Sequence, residues 1–335
     1  MNTTRRIIHE RRAGPGLCRF ALRALLALAP SFAHAQPVLP PEALEQFQRV
    51  IGSRVEAVTI LGGDYGAAGG VYTFRGGNLA DLSLSKLGGG GNIAQPRPLG
   101  ESGLKWAPVL QGNLGHISAV NEFATGYLQG NQSEYDVLAV QAGGGARFYF
   151  TDHLSLAPSI SGIYGHTENE FTPQNAVGDA VKAAASGTFV DWQLDTWSVA
   201  PSLDLRYEWW WRRTAFEFSS RYNFFHTESY DSSSPVVGVS GDSHTWENKL
   251  DVDVPLGWKL LNRELHTGGF FARTELFGGA ADGLNEDHVC AVNGRFVLDV
   301  LGKAWKVRWL GVGCSYFFGD HFSGWTAGVD LRFKF

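Results

Sequence analysis

From Gly69 to the C-terminus, apolar and polar side chains alternate through one segment after another. The last eleven residues set the pattern. Trp325, Ala327, Val329, Leu331, Phe333 and Phe335 share one face, and Thr326, Gly328, Asp330, Arg332 and Lys334 share the other. Successive side chains of a strand point to opposite faces, so each such segment predicts a strand with one greasy and one wet side. Trp197, Val199, Leu203, Leu205, Tyr207 and Trp209 likewise oppose Ser198, Ser202, Asp204, Arg206 and Glu208. Trp246, Leu250, Val252, Val254, Leu256 and Trp258 oppose Glu247, Lys249, Asp251 and Asp253. Twelve strands are predicted, at 69–75, 79–88, 104–120, 134–150, 153–170, 189–209, 212–230, 243–258, 264–279, 288–301, 305–318 and 322–335.

Before these strands the pattern is different. Pro40-Pro41-Glu42 opens a short helix over 42–51, with Leu44, Phe47, Val50 and Ile51 on one face and Gly52 near its stop. The apolar piece from Val55 to Leu61, ending at Gly62-Gly63, fits either a further helical turn or a strand. Residues 1–35 read as a cleaved export signal: Arg5, Arg6, Arg11 and Arg12 form a basic head, an apolar run follows, and Ala33-His34-Ala35 is the cleavage site. The expected organisation is therefore a signal peptide over 1–35 and a helix with its lead-in over 36–68, open to service as a plug. A barrel of strands follows over 69–335.

The solvent around the strands is decided by what else the chain contains. No apolar run in the mature part is long enough for a membrane helix, so a membrane protein of this composition has to be a closed β-barrel, which satisfies every backbone group in lipid. Connections alternate in length: Thr151-Asp152, the Arg212 turn, 259–263 and 302–304 are short, whereas 121–133, 171–188, 231–242 and 280–287 are longer. Transmembrane barrels have short periplasmic turns and long outer loops. Residues 319–321 and 89–103 break this rule. Aromatic residues fall at strand ends, and Trp106, Trp197, Trp209, Trp246, Trp258, Trp305 and Trp325 are the expected girdle. Trp197 to Trp209 and Trp246 to Trp258 are twelve residues each; a tilted strand covers roughly 30 Å of height in that length, close to a bilayer's apolar band. The predicted fold is an all-β, transmembrane, antiparallel up-and-down barrel of about 12 strands.

Charge is near balance at −5, which excludes a typical nucleic-acid binder. The wet face is expected to carry Arg147, Asp204, Arg206, Glu208, Glu217, Arg221, Glu247, Lys249, Asp251, Asp253, Arg273, Glu275, Arg295, Asp299, Lys306, Arg308, Asp330, Arg332 and Lys334 into the lumen. Both signs are mixed, so these groups either pair and fill the interior or line a watery pore. His166, His226, His244, His288 and His321 lie near outer strand ends, and Asp287-His288 and Asp320-His321 place an acid beside an imidazole. Adjacent strand residues point oppositely, so neither couple is a ready dyad, and there is no nucleophile motif. No catalytic residue, metal ligand or cofactor site is assigned. Cys290 and Cys314 are the only cysteines past the signal. In this register Cys290 faces lipid and Cys314 the lumen, so a disulfide between them requires a bulge.

The ending from Gly311, G-V-G-C-S-Y-F-F-G-D-H-F-S-G-W-T-A-G-V-D-L-R-F-K-F, resembles the solitary outer-membrane autotransporter β-barrel family. That resemblance implies a twelve-stranded barrel in the bacterial outer membrane, monomeric and embedded in its lipid. It also implies passage with periplasmic chaperones to the barrel-assembly machinery, with Val329, Leu331, Phe333 and Phe335 as the assembly signal. The thirty-odd residues between Gln36 and Gly69 are too few for a secreted passenger, so the expectation is a structural or transport barrel and no enzyme. A narrow channel for small solutes and a rim-active hydrolase are the alternatives. Deleting Phe335 should impair insertion, read as loss of the heat-modifiable folded band; unaltered assembly would remove it from the signal.

Overall fold

The structure, a computed structural model, describes residues 41–63, 70–76, 82–123, 128–300 and 307–333. The export signal over 1–35, Trp305, Lys306, Lys334 and Phe335 lie outside the described residues, as do the side chains of Arg308, Asp330, Leu331, Arg332 and Phe333. The chain divides into two compact units, Met1–Arg49 and Val50–Phe335. Helix α1 (Pro41–Gly63) starts in the first, with Pro41 at a position that needs no amide hydrogen, and its residues 50–63 belong to the second.

Twelve strands of the second unit close on themselves. They are β1 (Gly70–Gly76), β2 (Leu82–Asn92), β4 (Lys105–Glu122), β5 (Gln132–Tyr149), β6 (Leu154–Thr172), β7 (Trp192–Trp211), β8 (Thr214–Ser232), β9 (Ser240–Leu260), β10 (Arg263–Gly278), β11 (His288–Asp299), β12 (Val307–Phe318) and β13 (Phe322–Phe333). Each pairs antiparallel with its sequence neighbours from β4 to β13, β13 pairs with β1, β1 with β2, and β2 with β4. A two-residue piece, β3 (Arg97–Pro98), adds only a foot to β4. No strand of the ring is left as an edge, which is the condition for a sheet to sit in hydrocarbon.

All twelve predicted strands exist, with ends shifted by a few residues. The Gly/Pro-rich 89–103 segment that broke the turn rule holds the end of β2 and the β3 foot. At the short-turn end, Leu261 and Asn262 both have positive φ (51° and 62°), the type I′ geometry whose twist suits a two-residue hairpin. The long-loop end carries two helices the alternation pattern does not reveal, α2 (Ala176–Ala185) and α3 (Gly279–Leu284). Asn175 caps α2 by accepting the Gly178 amide at 2.9 Å.

The short 319–321 connection is explained by one buried carboxylate. Glu286 accepts the backbone amides of Asp320 (2.8 Å) and His321 (2.5 Å), so the loop after α3 anchors its short neighbour. Two charged hydrogen bonds replace the residues that a longer loop would use to satisfy itself.

Alternation sets two faces, and side chains directly opposite on paired strands share one. Three expectations are corrected by the register. α1 does not stop at Gly52 but runs on to Gly63, so Val55 to Leu61 is helix. Arg273 and Glu275 face outward, because they pair with Asn248 and the girdle residue Trp246, while Phe270, Ala272, Thr274 and Leu276 face inward. They neutralise each other there, with Arg273 Nε 2.6 Å from Glu275 Oε1. Cys314 also faces outward, with Leu310, Val312 and Tyr316, since Val307 opposes Phe333 and Trp309 opposes Arg332, a bulge that reverses the phase of β12. Both cysteines are free. Cys290 opposes Phe318 and Cys314 opposes Gly294, four positions along the ladder, so their separation is about 13 Å where a disulfide needs Cα atoms within about 7 Å.

Replacing Glu286 by Ala should leave the two amides it accepts without partners, at a cost of about 1–3 kcal/mol. Hydrogen exchange at Asp320 and His321 is the check: protection should fall there while the strand amides stay protected, and unchanged protection would refute the anchor.

Candidate functional site

Lumen-facing residues of β2 and β6 to β9, together with α3, receive the C-terminal part of α1. Ile51, Val55, Ala57, Val58 and Ile60 are buried. Ile51, Val55 and Val58 form one stripe and Ile60 faces the other way, so this part of the helix is enclosed on all sides; sequence reading split it into a helix and an undecided segment. Ile60 packs with Ile163, Ala200, Phe225 and Ala280. Burying a side chain of this size contributes about 2–3 kcal/mol, so the seat is hydrophobic first.

Polar contacts then fix the position of the helix. Lys86 on β2 donates from Nζ to the Leu61 carbonyl at 3.1 Å, placing a cation where the last turn leaves acceptors and negative dipole exposed. On the opposite side, Ser243 Oγ donates to Glu56 Oε1 at 2.5 Å and itself accepts the Ala280 amide at 2.8 Å. Glu56 is only 2% exposed, and burial pushes its carboxyl above the ordinary carboxylate value.

Toward the short-turn end the lumen wall is crossed by ion pairs. Asp204 on β7 sits 2.7 Å from Arg147 on β5, 3.0 Å from Arg206 and 3.6 Å from Arg221 on β8. Arg206 also lies 4.0 Å from Glu217. On the far side Arg295 grips Asp251 through both guanidinium nitrogens, at 2.5 and 2.8 Å, and His266 lies 2.8 Å from Asp253. Trp309 tilts over His266 with ring centroids 5.6 Å apart, an indole in the lumen where alternation alone puts it outside. Glu247 and Lys249 share this inner face opposite Thr274 and Ala272. Glu208 is half-buried beside Glu217 in register, and Asp299, Asp330 and Arg332 hold the register positions of Trp309 and Gly311.

The expected girdle residues within the described set are outward and accessible. Trp197, Trp246, Trp258 and Trp325 are exposed, Trp106 opposes Phe148, and Trp209 stacks on Phe216 with centroids 5.1 Å apart. The rim histidines His166 and His226 are engaged by carboxylates. His166 is held by Asp195 at one nitrogen (2.6 Å) and Glu168 at the other (3.2 Å), and His226 is held in the same way by Asp242 (2.7 Å) and Glu228 (3.3 Å). With both nitrogens engaged by carboxylates, neither ring presents one to a serine. The recurrence His-Thr-Glu at 166–168 and 226–228 was a visible sequence signal for this pair of clusters. His244 contacts Tyr222 at 2.6 Å, and His321 lies 3.5 Å from Glu286.

A closed antiparallel ring of strands has counterparts among known proteins. The family model described as the solitary outer membrane autotransporter beta-barrel domain matches residues 97–328. This chain belongs to that family. The autotransporter-like barrel is similar to the crystal structure of the beta domain of the Bordetella autotransporter BrkA, at a TM-score of 0.50 and 16% identity, over 80% of this chain and 100% of that one. It also matches the translocator domain of the autotransporter NalP from Neisseria meningitidis (TM-score 0.38, 14% identity, 85% of this chain and 94% of that one). A third match is the KdgM porin in complex with disordered oligogalacturonate (TM-score 0.37, 9% identity, 80% and 100%). No curated protein matches at the sequence level. The family and the fold make this an outer-membrane β-barrel.

The ion pairs of the barrel wall carry a test. Asp204→Ala leaves three guanidinium groups facing one another in a buried site, at a cost of about 3–5 kcal/mol. The urea midpoint of the folded band should fall clearly, and Asp204→Leu with Arg147→Met should recover part of the loss. Equal midpoints for the single variant and the wild type would show that the cluster does not bear on stability.

Proposed function

We propose that the chain is an outer-membrane barrel sealed by its own helix, with a structural role in the membrane and without a catalytic or solute-conducting one. The observation that carries this reading is the seat of residues 50–63 against inward side chains of β2 and β6 to β9. Beneath that seat, paired charges of both signs span the remaining interior, so an ion entering from the short-turn end meets groups already neutralised by each other. An open pore would instead present unpaired charges and a water-filled path. The outward aromatic rows fit direct contact with bilayer lipid, and the C-terminal alternation fits delivery by periplasmic chaperones to the barrel-assembly machinery as a monomer.

Planar-bilayer recording separates sealing from conduction. At about pH 5, purified full-length protein should show no well-defined open steps, and a variant lacking residues 41–63 should show them. Steps of the same size and frequency in both would overturn the sealed reading in favour of a narrow channel.

A further inference from the structure

Among the described residues, Glu56 is the buried titratable group of the helix seat, and its contacts there do not require a carboxylate. Its partner is a serine, not a base. The charged groups facing it are Asp242 on β9, Asp282 on α3 and His226 on β8. Two of the three are acids, and His226 is itself engaged by Asp242 and Glu228. Gly241 and Gly279 press on the carboxylate so closely that a Cβ on either would collide with Glu56 Oε2. The site therefore excludes water from a group that, once ionised, has no cation of its own. Burying such a charge is costly unless it is paired.

We propose that Glu56 is a pH-sensitive latch: protonated, it holds the helix in the lumen, and its ionisation loosens the helix and opens the barrel. The proposal rests on the sealed reading above. The direction follows from linkage. Burial raises the carboxyl's pKa in the seated state above the ordinary value it regains when the helix leaves. The stabilisation of the seat is then complete below the ordinary carboxylate pKa and is lost as pH rises through the seated one. Between the two, the ratio of released to seated helix climbs by up to about tenfold per pH unit. Lys86 holds the Leu61 carbonyl at the other end of the helix, which stays tethered while the Glu56 end lets go.

The test is planar-bilayer recording at about pH 5 and about pH 8 on four proteins: wild type, Glu56→Gln, Gly279→Ala and the variant lacking residues 41–63. Heat-modifiable migration establishes first that each is folded. Wild type should open at least tenfold more often at the higher pH, and Glu56→Gln should stay closed at both. Gly279→Ala, which crowds the carboxylate without changing charge, should open at both. Wild type equally closed at the two pH values would sink the latch and leave the seal standing, provided the helix-deleted variant conducts. A Glu56→Gln protein with the full pH response would transfer it to Asp242, Asp282 or His226 and equally end the proposal. If wild type and the deletion variant conduct alike at the lower pH, the sealed reading fails first.

Discussion

Every other feature of this protein depends on the backbone of its wall being paired all the way round. Hydrocarbon offers no hydrogen bond to an exposed amide, and an unmet backbone group there costs several kcal/mol. The pairing of β2 with β4, in register from Leu82 opposite Ala119 to Asn92 opposite Val109, is what turns a curled sheet into a ring. Once the ring is closed, the two faces of each strand acquire different solvents. Leucines and aromatics can be left bare on the outward face, whereas the inward face has to be filled or wetted.

The interior is filled by two different kinds of chemistry at two heights. At the long-loop end the filler is a helix, seated by apolar contacts and oriented by Lys86 and Ser243. At the short-turn end it is a lattice of ion pairs centred on Asp204 and Asp251. Such pairs are weak contributors to net stability, because desolvation offsets much of the attraction. Their geometric demand is strict, however. Three guanidinium groups converging on one carboxylate are satisfied only in the register that brings β5, β7 and β8 together, which penalises a slipped strand.

Much of this was legible in the chain itself, and the misreadings have physical causes. Period-two alternation located all twelve strands because one face of each turns outward and the other into the barrel over most of its length. Alternation failed at Arg308, where a bulge inserts one residue and turns Cys314 from the lumen to the outside. A bulge changes phase without changing composition, so no residue pattern marks it. Arg273 and Glu275 misled for a different reason: near the long-loop end the outward face is wet too, and a charged pair at the level of Trp246 is satisfied on either side. The helix was read short because Gly52 resembles a stop. In the fold that glycine lies against the Gly238 carbonyl, where a Cβ would sit 3.3 Å away, a tight contact that its lack of a side chain avoids. Glu286, Glu56 and Ser243 gave no signal at all, since each works through a partner distant in sequence.

The connection between α1 and β1 has a thermodynamic consequence. Only residues 64–69 separate the end of the helix from the first strand of the wall. An occupant on so short a tether has an effective concentration near its seat in the millimolar range or above, whatever the abundance of the protein. Occupancy is thus independent of dilution, and even a helix that binds its seat weakly returns to it after each excursion.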